Sequence, residues 1–136
     1  LEKVYSTRNI LCEFEIVPRA LFYGEQGDLM ELLGNLLENG FKWAKRRVVL
    51  TARPLPSPGA RRDGLEIIVE DDGEGIAENQ VEHLLQRGVR GDERVQGHGI
   101  GLAIVQDLVR AYRGELSVGQ SPTLGGAAFR VRIKAS

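Results

Sequence analysis

The chain has 136 residues, with 18 Lys and Arg against 19 Asp and Glu; the length suits one core and not two, and the balance lacks the basic excess of a general nucleic-acid binder. Hydrophobic residues make up 42% and charged residues 27%, enough to bury a core, which excludes wholesale disorder. A single cysteine, Cys12, excludes an internal disulfide framework and reads as a reducing compartment, and with only two histidines it also excludes a Cys/His zinc site.

The opening Leu1-Glu2-Lys3 lacks an initiator Met, which predicts a fragment of a longer protein. It carries no signal-peptide pattern, and no apolar run approaches the roughly 20 residues of a membrane-spanning helix. Residues 10–17 (ILCEFEIV) alternate apolar and polar, a strand pattern, and residues 20–23 suit a second short strand. A helix is predicted over 28–44, with Asp28 as N-cap and Leu29, Leu32, Leu33, Leu36 and Leu37 at helical spacing. Residues 47–53 (RVVLTAR) read as a strand, 54–64 as an exposed Pro/Gly/Arg loop, 65–70 (LEIIVE) as a strand and 71–75 (DDGEG) as a turn. A short helix suits 78–85, and the charged, glycine-rich stretch 86–98 lacks periodicity, which predicts a mobile functional loop. A second amphipathic helix follows over 100–112, then strands at 115–119 and 127–134 around a loop at 120–126. This order predicts an α/β fold, a two-layer α/β sandwich in which helices cover one face of a mixed sheet.

Three features carry chemistry. In the first helix, Glu31, Asn35, Glu38, Asn39 and Lys42 share an arc of roughly 100°, and the remaining surface is mostly apolar, including Met30, Phe41 and Trp43. Such a stripe is either an ordinary solvated face or the wall of a cleft. Asn is a poor helix former, yet it occurs twice at i, i+4. Its side-chain oxygen suits Mg²⁺, a hard cation that keeps waters and takes other ligands from phosphates, and Lys42 stands one turn on as a point charge for phosphate. Trp43 reads most simply as core, with stacking on a base as the alternative. Next, Asp71 ends a strand before Gly73 and Gly75. Spacing alone favours a turn, and the alternative is a carboxylate that accepts from an amino group such as adenine's, with glycines admitting the base closely. Last, Gly97, Gly99 and Gly101, with His98 among them, lead into a helix whose free N–H groups suit phosphate. The spacing is neither GxGxxG nor a GKS/GKT loop. Arg87, Arg90 and Arg94 precede it, either as solubilising charge or as cations that close over a triphosphate.

Taken in order, ELLGNLLENGFKWA, VEDDGEGI, GHGIGLAIV and LGGAAF resemble the ATP-binding catalytic domain of sensor histidine kinases, in the superfamily shared with gyrase, Hsp90 and MutL. The resemblance covers residues 9–134 and is greatest to the PhoQ type. It implies ATP and Mg²⁺ as cofactors, with Asn35 as the metal ligand, Asn39 and Lys42 on phosphate, and Trp43 near the adenine. It further implies Asp71 as reader of the adenine amino group beside Gly73, Gly75 and Ile76. An ATP lid over 86–98 with Arg90 and Arg94 follows, then Gly97, His98, Gly99, Ile100, Gly101 and Leu102 at the phosphate end, and Gly126 in the last glycine motif. Gly40 replaces the family's usual Ala, Leu85 a common Phe and Ala127 a common Thr. Glu31 lies where ATP-hydrolysing cousins keep a general base.

No phosphoacceptor motif surrounds His83 or His98, so the resemblance implies a domain that donates the γ-phosphate to a histidine on a separate dimerisation domain, for relay to a response regulator. It also implies a cytoplasmic domain of a homodimeric parent anchored in the inner membrane, with no nucleic-acid partner. An anti-sigma-factor-type serine kinase, a non-catalytic ATP-binding regulatory module and a hydrolase using Glu31 are the alternatives.

Overall fold

A computed structural model describes residues 2–5, 10–18, 20–22, 24–56, 59, 63–75 and 99–134. The predicted helix at 78–85, the lid at 86–98, and with them Ile76, Leu85, Arg87, Arg90, Arg94, Gly97 and His98, lie outside the described residues.

Six strands form one sheet: β1 (Glu2–Tyr5), β2 (Ile10–Ile16), β3 (Arg47–Leu55), β4 (Gly64–Asp71), β5 (Glu115–Gln120) and β6 (Ala127–Ile133), in the order β1-β2-β3-β4-β6-β5. Among the described residues two helices accompany it, α1 (Gln26–Trp43) and α2 (Gly99–Ala111). Among the described strands, β2 and β3 alone pair in parallel, and α1 is the crossover that a parallel pair requires. The mixed sheet is thus as expected.

Residue alternation sets the core face. Ile10 and Cys12 of β2, Val48 and Leu50 of β3, Leu65, Ile67 and Val69 of β4, and Ala127, Phe129 and Val131 of β6 pack with Leu32 and Leu36 of α1 and Leu102, Val105 and Val109 of α2. Helix α1 lies against β3 and β4, and α2 reaches β5. Tyr112, just past α2, stitches the layer at one end: its hydroxyl donates to Asp28 Oδ2 at 2.6 Å and accepts from the Glu25 N–H at 3.1 Å. Its ring also meets Phe22 with centroids 5.0 Å apart.

Several expectations are corrected. Asp28 is not the N-cap: Glu25 holds that position without a side-chain cap bond, because Asp28 is drawn to Tyr112 from within the first turn. Residues 20–22 form no strand, as the chain there turns to bring Phe22 onto Tyr112. Pro54, Leu55 and Gly64 belong to strands rather than the loop, with Pro54 opposite Leu65. A proline is tolerated there because β2 stops pairing at Ala52. Strand β1 is an edge element too short for its five-residue context to announce. Finally, α1 is not buried on most sides: Leu32, Leu36, Asn39 and Gly40 are buried, whereas Met30 is 62% exposed.

The opposite sheet face has its own organisation. Glu66, 3% exposed, stands directly across from Arg53 on β3 and Arg132 on β6. Arg53 Nε donates to its Oε1 at 2.6 Å and Arg132 Nε to its Oε2 at 2.7 Å, with Arg130 Nε 3.7 Å away. Burial pushes the Glu66 carboxyl pKa up, but the bonds from Arg132 and Arg53 prevail and hold it below the ordinary value. A depressed folded pKa stabilises above the unfolded pKa and loses that contribution as pH falls through the folded one. Glu66→Gln is therefore expected to cost about 1–3 kcal/mol in denaturant unfolding at neutral pH, and the gap to the parent protein should close on acidification through the carboxylate range.

Candidate functional site

Asp71 is the last residue of β4, on the core face, and is 0% exposed. Its Oδ1 accepts from the Gly73 N–H at 2.9 Å and the Ala127 N–H at 3.3 Å, and its carbonyl accepts from the Gly126 N–H at 3.1 Å. Its Oδ2 is buried and has no hydrogen-bond partner among the described residues. Burial pushes the Asp71 pKa up, opposed by the N–H groups of Gly73 and Ala127 and aided by the nearby Asp72 charge. Ionised Asp71 therefore burdens the fold at neutral pH, and a donor delivered to Oδ2 would relieve it. Spacing alone favours a turn for this residue; the strand claims it instead.

Two glycines make that placement possible. A Cβ on Gly73 would lie 2.0 Å from the Trp43 carbonyl oxygen, and one on Gly126 would lie 2.3 Å from both the carbonyl oxygen and Oδ1 of Asp71. Gly75 has φ +81° and a Cβ on it would meet the Gly126 carbonyl carbon at 3.6 Å, while Gly125 at φ +88° turns the preceding loop. Ser121, 1% exposed, anchors that loop: its hydroxyl donates to Glu70 Oε2 at 2.6 Å and accepts from the Leu124 N–H at 3.0 Å.

Along α1 the polar stripe divides. Asn39 is 6% exposed and its Nδ2 is buried with no partner among the described residues. Asn35 is half-buried; its Nδ2 donates to the Glu31 carbonyl at 2.8 Å, which leaves Oδ1 for a ligand. Lys42 is half-buried, and Glu31 and Glu38 are exposed. Trp43 is half-buried at the helix end and is not core, because its backbone faces the Gly73 turn. Gly40 rests on the sheet, where a Cβ would sit 3.1 Å from Val69 and 3.3 Å from Val48. Absence of a methyl here lets α1 settle close to β4.

Gly99, Ile100 and Gly101 form the start of α2, as expected, and Leu102 is a buried core residue rather than an open wall of the site. Sequence reasoning passed over Asp72, Glu70 and Ser121, all of which hold the walls around Asp71. The only signal was the run of three acidic residues at 70–72, of which Glu70 reads as the end of a strand and Asp71 and Asp72 as a turn.

These residues fit Mg·ATP. Asp71 Oδ2 lacks a donor such as an adenine amino group, and Asn39 Nδ2 lacks an acceptor such as a phosphate oxygen. No group of three or more His, Cys, Asp or Glu that could hold a metal exists among the described residues, so a cation here would rely on amide, phosphate and water oxygens.

Comparison with known proteins agrees. Residues 24–136 match the family described as histidine kinase-, DNA gyrase B-, and HSP90-like ATPase. A two-component sensor PhoQ of Pseudomonas aeruginosa is 41% identical over 133 residues, which is 98% of this chain and 28% of that protein. The chain thus spans little more than a quarter of the length of this relative. Full-length ShkA in complex with AMPPNP superposes with a TM-score of 0.72 at 27% identity, covering 96% of this chain and 27% of that one. The ATP binding domain of PrrB from Mycobacterium tuberculosis gives 0.67 at 26% identity, covering 92% and 81%. None of the described helices is long and apolar enough to cross a membrane.

Gly126→Ala should force its Cβ into Asp71 and cost about 1–3 kcal/mol in chemical denaturation. Gly119→Ala, where a Cβ meets nothing within 4 Å, should be neutral by the same measurement.

Proposed function

The chain belongs to the family of histidine kinase-, DNA gyrase B- and HSP90-like ATPases, and from that premise we propose that it is the ATP-binding catalytic domain of a PhoQ-like sensor histidine kinase, donating the γ-phosphate of ATP to a histidine on a separate dimerisation domain. The observation that carries this reading is the buried, half-satisfied Asp71, whose Oδ2 has no partner among the described residues while its Oδ1 is fixed by backbone amides.

In this reading the 6-amino group of adenine donates to Asp71 Oδ2, and Gly73, Gly75 and Ile76 admit the ring, with Trp43 beside it. Asn39 Nδ2 and Lys42 meet phosphate oxygens. The N–H groups at Gly99, Ile100 and Gly101, at the positive end of α2, hold further phosphate charge, together with Gly97, His98, Arg90 and Arg94. Asn35 Oδ1 would hold Mg²⁺, which supplies charge neutralisation across the phosphates. The incoming imidazole nitrogen bonds to the γ-phosphorus as the bond to the β,γ-bridging oxygen breaks, ADP leaves, and the imidazole proton passes to solvent. Imidazole needs no base from this chain, whose contribution is position and charge. Exposed Glu31, bonded through its carbonyl to Asn35, has no assigned part.

We further place the domain, residues 1–136, in the cytoplasm as one part of a longer, membrane-anchored homodimeric kinase, with a response regulator as final acceptor. The two-component names of the relatives support that placement.

Asn35→Ala should abolish the Mg²⁺ dependence of nucleotide binding in calorimetry while leaving the unfolding midpoint in place; unchanged metal dependence would remove Asn35 from the site. Asp71→Asn presents an amide to the purine, so its preference should move from ATP toward GTP by about tenfold or more, and retention of the parent preference would sink the purine assignment. Phosphotransfer to an added dimerisation domain separates the kinase from a module that only binds.

A further inference from the structure

Glu70, Asp71 and Asp72 are consecutive carboxylates, and the fold sends each in a different direction. Glu70 takes the Ser121 hydroxyl and Asp71 faces the core. Asp72, the first residue past β4, reaches the connection between α1 and β3. There its Oδ1 accepts from the N–H groups of Lys45 at 2.8 Å, Arg46 at 3.0 Å and Arg47 at 3.1 Å, and its Oδ2 accepts from Arg46 at 3.2 Å. The Asp72 N–H donates in turn to the Arg47 carbonyl at 3.2 Å. Three successive amides aimed at one carboxylate make an anion nest. Burial raises the Asp72 pKa, but the amides of Arg46, Lys45 and Arg47 outweigh it and hold the group below its ordinary value.

The clamp bears on the purine end of the site through a short chain of contacts. The connection it grips begins directly after Trp43, whose carbonyl oxygen lies so close to Gly73 that a Cβ there would be 2.0 Å away. Gly73 is also the amide that fixes Asp71 Oδ1. Hence the separation between the α1 end and the Gly73 turn, and with it the direction of Asp71 Oδ2, depends on the connection at 44–46 keeping its place. Arg46 has one further tie, its carbonyl accepting from the Leu11 N–H at 2.7 Å. That bond fixes the connection to β2, not to the turn that carries Asp71.

We propose that Asp72 is a positioning residue for purine recognition: without touching the nucleotide, it locks the end of α1 to the turn after β4 and so aims Asp71 Oδ2 at the 6-amino group. The proposal rests on the adenine role given to Asp71 above.

The test measures, on the full chain, affinity for ATP and for purine riboside triphosphate, which lacks the 6-amino group. The parent protein should favour ATP by about tenfold or more. Asp72→Ala should bring that ratio close to one. Asp72→Asn, which keeps the Oδ1 acceptor of three of the four bonds, should restore it to within about threefold. Emission from Trp43, the single tryptophan, should shift in Asp72→Ala and return in Asp72→Asn. If Asp72→Ala fails to fold, Asp72→Ser, with one short acceptor, should fold and show a reduced ratio. A variant that weakens both nucleotides equally, leaving the ratio intact, makes Asp72 merely structural and overturns the proposal. A parent protein that does not discriminate the two nucleotides overturns the adenine role of Asp71 itself, a distinct result.

Discussion

A carboxylate sealed from solvent, with one oxygen satisfied by backbone amides and the other by nothing among the described residues, is the constraint around which this molecule is arranged. Removing an ionised group from water is costly unless its lone pairs find donors. Here the fold provides donors on one side only, from Gly73 and Ala127. A ligand that brought a correctly placed N–H to Oδ2 would relieve the remaining deficit. It also explains why the neighbouring positions lack side chains: at Gly73 and Gly126 any Cβ would occupy space already filled by the Trp43 carbonyl or by Asp71 itself.

Strand β4 separates that demand from the demands of stability by strand alternation alone. Leu65, Ile67, Val69 and Asp71 face the helices, and Glu66 and Glu70 face away. Glu66 and Asp71 are both almost or wholly buried, yet their pKa values move in opposite directions. The difference lies in the partners. Glu66 meets guanidinium groups from both flanking strands, whereas Asp71 meets only amide dipoles and has a second acid beside it. At neutral pH one carboxylate strengthens the fold and the other weakens it.

Periodicity was a good guide wherever one face of an element decided its burial. Helix α1, both closing strands and β4 fall within a residue or two of their expected places, since alternation or helical spacing reflects packing that the residues themselves enforce. Errors arose where a distant residue made the decision. Asp28 has the chemistry of an N-cap, but Tyr112 lies 84 positions away in sequence and claims its carboxylate. Apolar spacing suggested an α1 buried nearly all round, yet among the described residues Met30 stays 62% exposed. At the site, Asp71 and the asparagines were readable because their types are unusual for their positions. Asp72, Glu70 and Ser121 were not, because an acidic turn and a serine in a loop look the same whether or not they brace a neighbour.

The two helices complete the argument about where a triphosphate fits. Tyr112, beyond the end of α2, is bonded to Asp28 and Glu25 at the start of α1, so the packed helices run antiparallel and are fastened at that end. Their other ends carry groups that suit phosphate in the proposed reading: Asn39 and Lys42 late in α1, and the N-terminal end of α2, which begins at Gly99. In the proposed reading, an anion would approach from the end opposite the Tyr112 fastening. In that reading Asp71, at the end of β4, holds the purine end of the same molecule. A nucleotide that satisfied both orphaned groups, Asp71 Oδ2 and Asn39 Nδ2, would in the proposed reading extend its terminal phosphate toward the start of α2, where a nucleophile from outside the domain could meet it.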